Sequence, residues 1–281
     1  MMWWQSLPER IDPTLFSVGG FSVSWYGVAF LCGAVISLSV LWRGLSRDRA
    51  LMFSPDTFLD FSLFLLVGAV VGARFGYALF YNPAFFAEHP LSLISPFDAR
   101  TGVWTGVAGM SAHGGMLGIV FAAFLFSWRY QKPVWKLLDH IAQSLPLAIF
   151  FGRIGNFLAG ELFGRVTTLP WGMVFPSADD MLLHHPSQLY EAVGEGLVLW
   201  LALFLLAKRN RFPGQLLVWA LALYGGIRFL LEYFRLPDPQ IGFVLYDFTL
   251  GQLLSLLVMI LSATLLFWIK NRENAILPRA E

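Results

Sequence analysis

The 281-residue chain is short of charge, of lysine and of cysteine. Charged residues make up 13% of it, about half the share of an average soluble domain. Hydrophobic residues make up 57% and aromatic residues 16%, with 27 Phe and 11 Trp, and the mean hydropathy is +0.64. One soluble core cannot hide so many rings, so a soluble globular enzyme, a disordered chain and a nucleic-acid binder are excluded. The single cysteine, Cys32, excludes a disulfide framework and a zinc site built on thiolates. Lying in an apolar run, it is expected to be a small buried hydrophobe. The alternating pattern of a membrane β-barrel is missing. So are the basic region and cleavage site of a signal peptide over residues 1–12. The first apolar segment is therefore expected to stay in the mature protein.

What the chain does have is long apolar runs. A bilayer-crossing helix needs about 20 mostly apolar residues. Seven stretches qualify: 21–42, 58–81, 112–130, 139–157, 188–207, 215–234 and 246–269. The expected fold is an all-α polytopic membrane protein, a single catalytic domain over residues 1–281. Short non-spanning helices are expected in the outer loops 82–111, 158–187 and 235–245. Pro83, Pro90 and Pro96 punctuate the first of these, and Pro170, Pro176 and Pro186 the second.

Basic residues near the span ends set the orientation. Arg43, Arg47 and Arg49, then Arg129, Lys132 and Lys136, then Lys208, Arg209 and Arg211, and finally Lys270, Arg272 and Arg279 all fall on one side. That side is expected to be the cytoplasm, with the N-terminus outside and the C-terminus inside. These residues include every lysine. The seven remaining cations are all arginine: Arg10, Arg74, Arg100, Arg153, Arg165, Arg228 and Arg235. Three of them, Arg74, Arg153 and Arg228, lie within spans, where a charge costs roughly 2.5–3.5 kcal/mol on insertion scales. Acidic partners are expected to be too few to neutralise all three, which favours a functional site over plain ion pairs.

Depth sharpens this. At ~1.5 Å per residue, Arg153 and Arg228 lie ~21 Å from the cytoplasmic ends of their spans. His113 and Arg74 lie ~24 Å up, and Tyr26 and Glu191 ~25 Å up. Six polar groups from six spans thus share one layer just below the outer headgroups. Tyr224, Arg228 and Glu232 repeat at i, i+4 and i+8 on one helix face, with Arg235 a turn beyond and Gly225-Gly226 thinning the helix for a close approach. His113 stands beside Gly114-Gly115 at a helix start. The stretch from Gly152 to Arg165 mixes glycines with arginines, Asn156 and Glu161; it is expected to leave the helix and form a concave anion cradle. Arginine's planar fork matches phosphate oxygens, and phospholipid headgroups put phosphate at this depth. An anionic phospholipid is the ligand this implies, and a His and a Tyr alongside imply proton transfer.

Other classes compete. A transporter or channel for an organic anion would use the intramembrane arginines as ligands, but the repeat such folds usually show is absent. Another phospholipid-headgroup transferase would hold a metal with acidic clusters, and span-embedded Asp pairs are missing. A lipid-binding scaffold would not need His113. His184, His185, Asp179 and Asp180 could bind a metal, but a solvated loop is the expectation there; no metal and no other cofactor is expected.

Taken in order, these motifs resemble the bacterial prolipoprotein diacylglyceryl transferases. The resemblance runs from Trp25-Tyr26-Gly27 through His113-Gly114-Gly115, the Gly152 to Gly164 segment, the stretch from His185 to Glu191 and the stretch from Arg228 to Asp238, into the last span. The chain has Ala159 where the family signature usually has Asn. The resemblance implies a seven-span inner-membrane enzyme. It would move the diacylglyceryl group of phosphatidylglycerol to the lipobox cysteine thiol of a preprolipoprotein, giving a thioether and glycerol 1-phosphate. Its partners would be phosphatidylglycerol and the substrate's signal peptide, with both substrates entering laterally. Arg153 and Arg228 would clamp the phosphate, and His113 would be the base. Tyr26 and Tyr224 would be hydrogen-bonding alternatives, and Asn156, Glu161 and Glu232 would orient the headgroup or the arginines. Gly164 would belong to the lipid-binding segment. Arg74, Arg235, Gln188 and Glu191 form an outer set of candidates.

Overall fold

The computed structural model describes residues 2–19, 21–95, 97, 109–237 and 242–276. Arg100, Pro96, Asp238 and Arg279 lie outside the described residues. Among the described residues the protein is mostly helical. Seven long helices follow in order: α1 (Trp25–Arg47), α2 (Pro55–Phe80), α3 (Ala112–Tyr130), α4 (Val134–Leu158), α5 (Ser187–Ala207), α6 (Gln215–Leu231) and α7 (Leu250–Ile276). Five of them, α1, α2, α4, α5 and α7, are long and apolar enough to cross a membrane, and α6 is a shorter apolar helix.

The first and last apolar runs start as strand rather than helix. Phe21–Ser24 pairs antiparallel with Thr14–Val18 as hairpin β1–β2, turning through Gly19 at φ +57°. The Ser24 Oγ accepts the Gly27 amide at 3.2 Å, so the hydroxyl caps a helix that begins four residues later than the apolar run. The seventh run behaves the same way. Phe243–Leu245 pairs with Phe248–Thr249 as hairpin β3–β4, and the Thr249 Oγ1 accepts the Gln252 amide to start α7. Proline opens the short helices Pro83–Glu88, Pro90–Leu93 and Pro176–Ala178, as the missing N–H at a helix start allows.

The chain divides into two compact units, Met1–Leu41 with Asp139–Glu281, and Trp42–Leu138. In the second unit α2 and α3 run antiparallel and touch through glycine. A Cβ on Gly68 or Gly72 would strike the backbone of Gly118 or Gly114, and one on Gly76 would sit 2.7 Å from the Gly114 Cα. This small-residue ladder lets the backbones meet without side chains between them. At one end of this unit, Lys136 pairs with Asp48 at 2.9 Å and Lys132 donates to the Leu51 carbonyl.

In the first unit α1 packs on α4 through Gly33, whose Cβ would lie 2.8 Å from the Phe151 Cβ. Cys32, next to that contact, consequently points away. It is exposed with Leu31 and Val35, which corrects the expectation of burial; a helix that is apolar all round need not bury each apolar residue. Asp139 of α4 is buried and accepts the amides of Gly214 and Leu217, both at 2.8 Å, capping α6 from a distant segment.

Candidate functional site

Three arginines and three glutamates meet in the first unit. Arg153 comes from α4, Arg228 from α6 and Arg235 from just beyond α6. Glu191 and Glu195 come from α5, and Glu232 from the end of α6. Glu191 lies at the middle: its Oε1 accepts from Arg228 Nη1 at 2.7 Å and Arg235 Nη1 at 2.9 Å, while its Oε2 stands 3.1 Å from Arg153 Nε. Glu195 reaches Arg228 Nη1 at 3.3 Å and Arg153 Nη2 at 3.6 Å. Glu232 pairs with Arg228 Nη2 at 2.5 Å and accepts from the Thr249 hydroxyl at 2.9 Å. The Glu191 and Glu195 side chains are 1% exposed, against 20% for Arg153 and 14% for Arg228. Charges this poorly hydrated persist only when paired, and these are.

This corrects the expectation that acidic partners are too few. Glu195 is the residue that sequence reasoning missed. A signal was present: a carboxylate in the middle of a span is as costly as a guanidinium, and only the cations were counted. The backbone around it is π-helical over Ala192–Val198, a local widening that places Glu191 and Glu195 on the same Arg228 nitrogen. Gly194 and Gly196 on either side are packed on Ile227 and Phe150, which wedges this turn between α6 and α4.

The Gly152 to Arg165 segment is not a cradle from its start. Helix α4 continues through Gly152, Arg153 and Gly155 to Leu158, because each of these glycines is helical and only Gly160, at φ +69°, turns the chain. Gly155 serves packing: a Cβ there would lie 3.0 Å from the Tyr26 ring, so α1 crosses α4 at Tyr26. After the turn, Asn156 Nδ2 donates to Glu161 Oε1 at 2.8 Å, and buried Gln188 donates to the Glu161 carbonyl at 2.7 Å. The Asn156 amide and Gln188 therefore fix an exposed carboxylate, Glu161, from below.

Gly164 is buried where three segments meet. Its amide donates to the His185 carbonyl at 2.9 Å, and the next amide, Arg165, donates to the Phe234 carbonyl at 2.9 Å. A Cβ on Gly164 would meet the Phe234 carbonyl and lie 2.8 Å from the His185 Cβ. Only glycine leaves room for that crossing. His184 completes it. Its Nδ1 lies 2.8 Å from the Gly164 carbonyl and its Nε2 3.0 Å from Asp180 Oδ2, with the ring buried. This is a built pair rather than the solvated loop expected. Burial, and then the neighbouring His184, push the His185 imidazole below its ordinary range.

Tyr224, one helical turn before Arg228, packs against the Leu199–Leu203–Leu216 cluster and faces the charges of Glu195 and Arg228. Gly225 is in close contact with α7, its Cβ position 2.7 Å from Met259 Cγ, whereas Gly226 faces open space. The remaining candidates belong to the second unit. Arg74 is buried and donates to the carbonyls of Ser92, Leu93 and Gly109, with its guanidinium 5.0 Å from the Phe86 ring centre. It clamps the outer loop onto α2. His113 is exposed in the first turn of α3, beside the Ser111 side chain that caps that helix.

The chain matches the family model described as "Prolipoprotein diacylglyceryl transferase" over residues 13–268. It is 40% identical over 277 residues to a protein of Chlorobaculum tepidum, covering 97% of this chain and 95% of the relative. It is likewise 40% identical over 275 residues to a protein of Wolinella succinogenes, covering 97% and 98%. A Wolbachia protein is 41% identical over 254 residues, covering 89% and 92%. All three relatives bear the name phosphatidylglycerol–prolipoprotein diacylglyceryl transferase.

Proposed function

The chain belongs to the prolipoprotein diacylglyceryl transferase family, and on that premise we propose how its residues carry the transfer. The enzyme moves the diacylglyceryl group of phosphatidylglycerol to the thiol of a prolipoprotein cysteine. A thioether forms and glycerol 1-phosphate leaves. The observation that carries the assignment of the site is the meeting of Arg153 and Arg228, from two helices, on the same pair of buried carboxylates. Two guanidinium groups held at fixed spacing can grip the headgroup phosphate and stabilise the charge that grows on it as the C–O bond breaks.

Asn156 and Glu161 hydrogen-bond the headgroup glycerol, and Glu191 and Glu232 aim the arginines. Gly164 and Gln188 keep the Glu161 segment in place, and Tyr26 and Tyr224 supply further hydrogen bonds. His113 is the base for the thiol on chemical grounds, as an imidazole in the first turn of α3. Arg74 holds its loop. We assign seven spans, with α3 and α6 completing the five longer helices, in a bacterial inner membrane, with the N-terminus outside and the site near the outer leaflet. The two units work as one catalytic domain, and phosphatidylglycerol and the substrate's signal helix enter laterally.

Purified protein in micelles, given phosphatidylglycerol and a lipobox peptide, should yield a diacylglyceryl adduct on the peptide cysteine by mass spectrometry. No adduct, with the lipid demonstrably bound, would overturn the assignment. Arg153→Lys and Arg228→Lys keep the charge but lose the fork, and each should slow the reaction on the order of a hundredfold. Full activity in both would remove the clamp.

A further inference from the structure

Glu195 has no part in the transfer as described above. Yet it is buried among the groups proposed to hold the phosphate. Arg153, Arg228 and Arg235 face Glu191, Glu195 and Glu232, so three positive charges meet three negative ones and the cluster is already neutral. A phosphodiester monoanion arriving at Arg153 and Arg228 would leave it one negative charge in excess. In a poorly hydrated interior that excess is relieved most readily by a proton.

The three carboxylates are not held equally. Glu191 has three arginine contacts between 2.7 and 3.1 Å. Glu232 has its arginine at 2.5 Å and the Thr249 hydroxyl. Among the described residues Glu195 has only the longer contacts, 3.3 Å to Arg228 Nη1 and 3.6 Å to Arg153 Nη2. Its two partners are the same two arginines that the phosphate would take. The other titratable or charged groups acting on it are Glu191 on its own helix, Arg153 of α4, and Arg228 and Tyr224 of α6.

We propose that binding of the phosphatidylglycerol headgroup is coupled to uptake of one proton by Glu195, which releases Arg153 and Arg228 to the phosphate. The neutral cluster, the phosphodiester monoanion and one solvent proton together make a neutral complex. This rests on phosphatidylglycerol being the lipid bound at these arginines. Glu195 acts here as a positioning residue, keeping both guanidinium groups paired and aligned in the empty enzyme and yielding them on binding.

Calorimetric titration of the detergent-solubilised enzyme with phosphatidylglycerol, in buffers of different ionisation enthalpy, counts the protons exchanged. The expected slope is about one proton taken up per lipid for the native chain and none for Glu195→Gln, which already carries a neutral side chain. By linkage, the native affinity should fall about tenfold per pH unit where uptake is complete, and that of Glu195→Gln should stay level. Diacylglycerol, lacking the phosphate, should show no uptake. An infrared difference band of a protonated carboxyl should appear on lipid binding and shift in protein made with isotope-labelled glutamate, a readout that needs no variant. Lipid binding without proton uptake, or uptake preserved in Glu195→Gln, would overturn the coupling. Absence of lipid binding altogether would instead remove the reading it rests on.

Discussion

Glu191 shows why a membrane enzyme can keep arginines within its apolar spans. It joins a guanidinium from α4, one from α6 and one from beyond α6. Its removal would leave three cations facing two carboxylates, one positive charge in excess in a poorly hydrated interior. Glu191→Gln keeps the shape and removes the charge, and should lower stability by about 3–5 kcal/mol, the cost of breaking a buried pair. Thermal unfolding in detergent checks this; an unchanged transition would mean that something else holds the arginines. His185 gives a second prediction, outside the spans. Its ring packs edge-on against Phe234 and its Nδ1 lies 3.2 Å from the Tyr190 hydroxyl. Burial depresses its folded value below the ordinary 6.5, so the unfolded chain binds the extra proton first. The stability it contributes is therefore present above about pH 6.5 and is lost as pH falls through the depressed value. Melting curves across that window should show the native chain losing stability on acidification and His185→Phe losing less. Equal acid sensitivity in the two would assign the effect to other groups, such as Asp180, whose carboxyl is held low chiefly by the Leu182 amide and then by His184.

At the scale of elements, glycine decides which helices touch. Gly118 sits with its Cα face on the Gly68 and Gly72 backbone, so Gly118→Val must force α2 and α3 apart. The expected cost is about 1–3 kcal/mol or a failure to fold. Gly226, helical and facing open space, should behave oppositely. Gly226→Ala removes unfolded-state freedom and should stabilise by about 0.5–1 kcal/mol. Detergent melts of the two variants should move in opposite directions, and a matched shift would deny the ladder its role. The pattern that builds this ladder, Gly68, Gly72 and Gly76 against Gly114 and Gly118, was visible at four-residue spacing, but Gly114 drew notice only for standing beside His113. The seven long helices were legible as apolar runs, and five of them are long and apolar enough to cross a membrane. Their first residues were not, at 21–24 and 246–249, because a half-exposed strand and a membrane helix are both rich in Phe, Val and Leu. Arg153, Arg228 and Glu232 were found by the cost of an intramembrane charge and by i,i+4 spacing. The partnership with Glu195 was not, since it depends on a π-helical turn that no sequence period announces.

At the scale of the molecule, charged residues hold helix ends together within each unit. In the Trp42–Leu138 unit, Lys136 in the first turn of α4 pairs with Asp48 just after α1, and Lys132 between α3 and α4 donates to the Leu51 carbonyl. In the other unit, Asp139 near the start of α4 caps α6 through the amides of Gly214 and Leu217. The lysine- and arginine-rich segments 43–49 and 129–136 are thus joined at one end of their unit. Within the unit of Asp139, the other ends of α4 and α6 lead to Gly164, His185 and Phe234, which are linked backbone to backbone. In the orientation proposed above, all the basic segments fall on the cytoplasmic side, as the positive-inside rule requires. Orientation is then a prediction for single cysteines in a Cys32→Ala background. Thr168→Cys, exposed in the second outer loop, should react with a membrane-impermeant thiol reagent on intact spheroplasts. Ser46→Cys, exposed at the end of α1, should react only after the membrane is broken. The reverse pattern would invert the topology and place the arginine cluster nearer the inner leaflet. Labelling of both cysteines in intact spheroplasts would place them on one side, so α2, α3 and α4 would not make three crossings between them, and the seven-span count would fall.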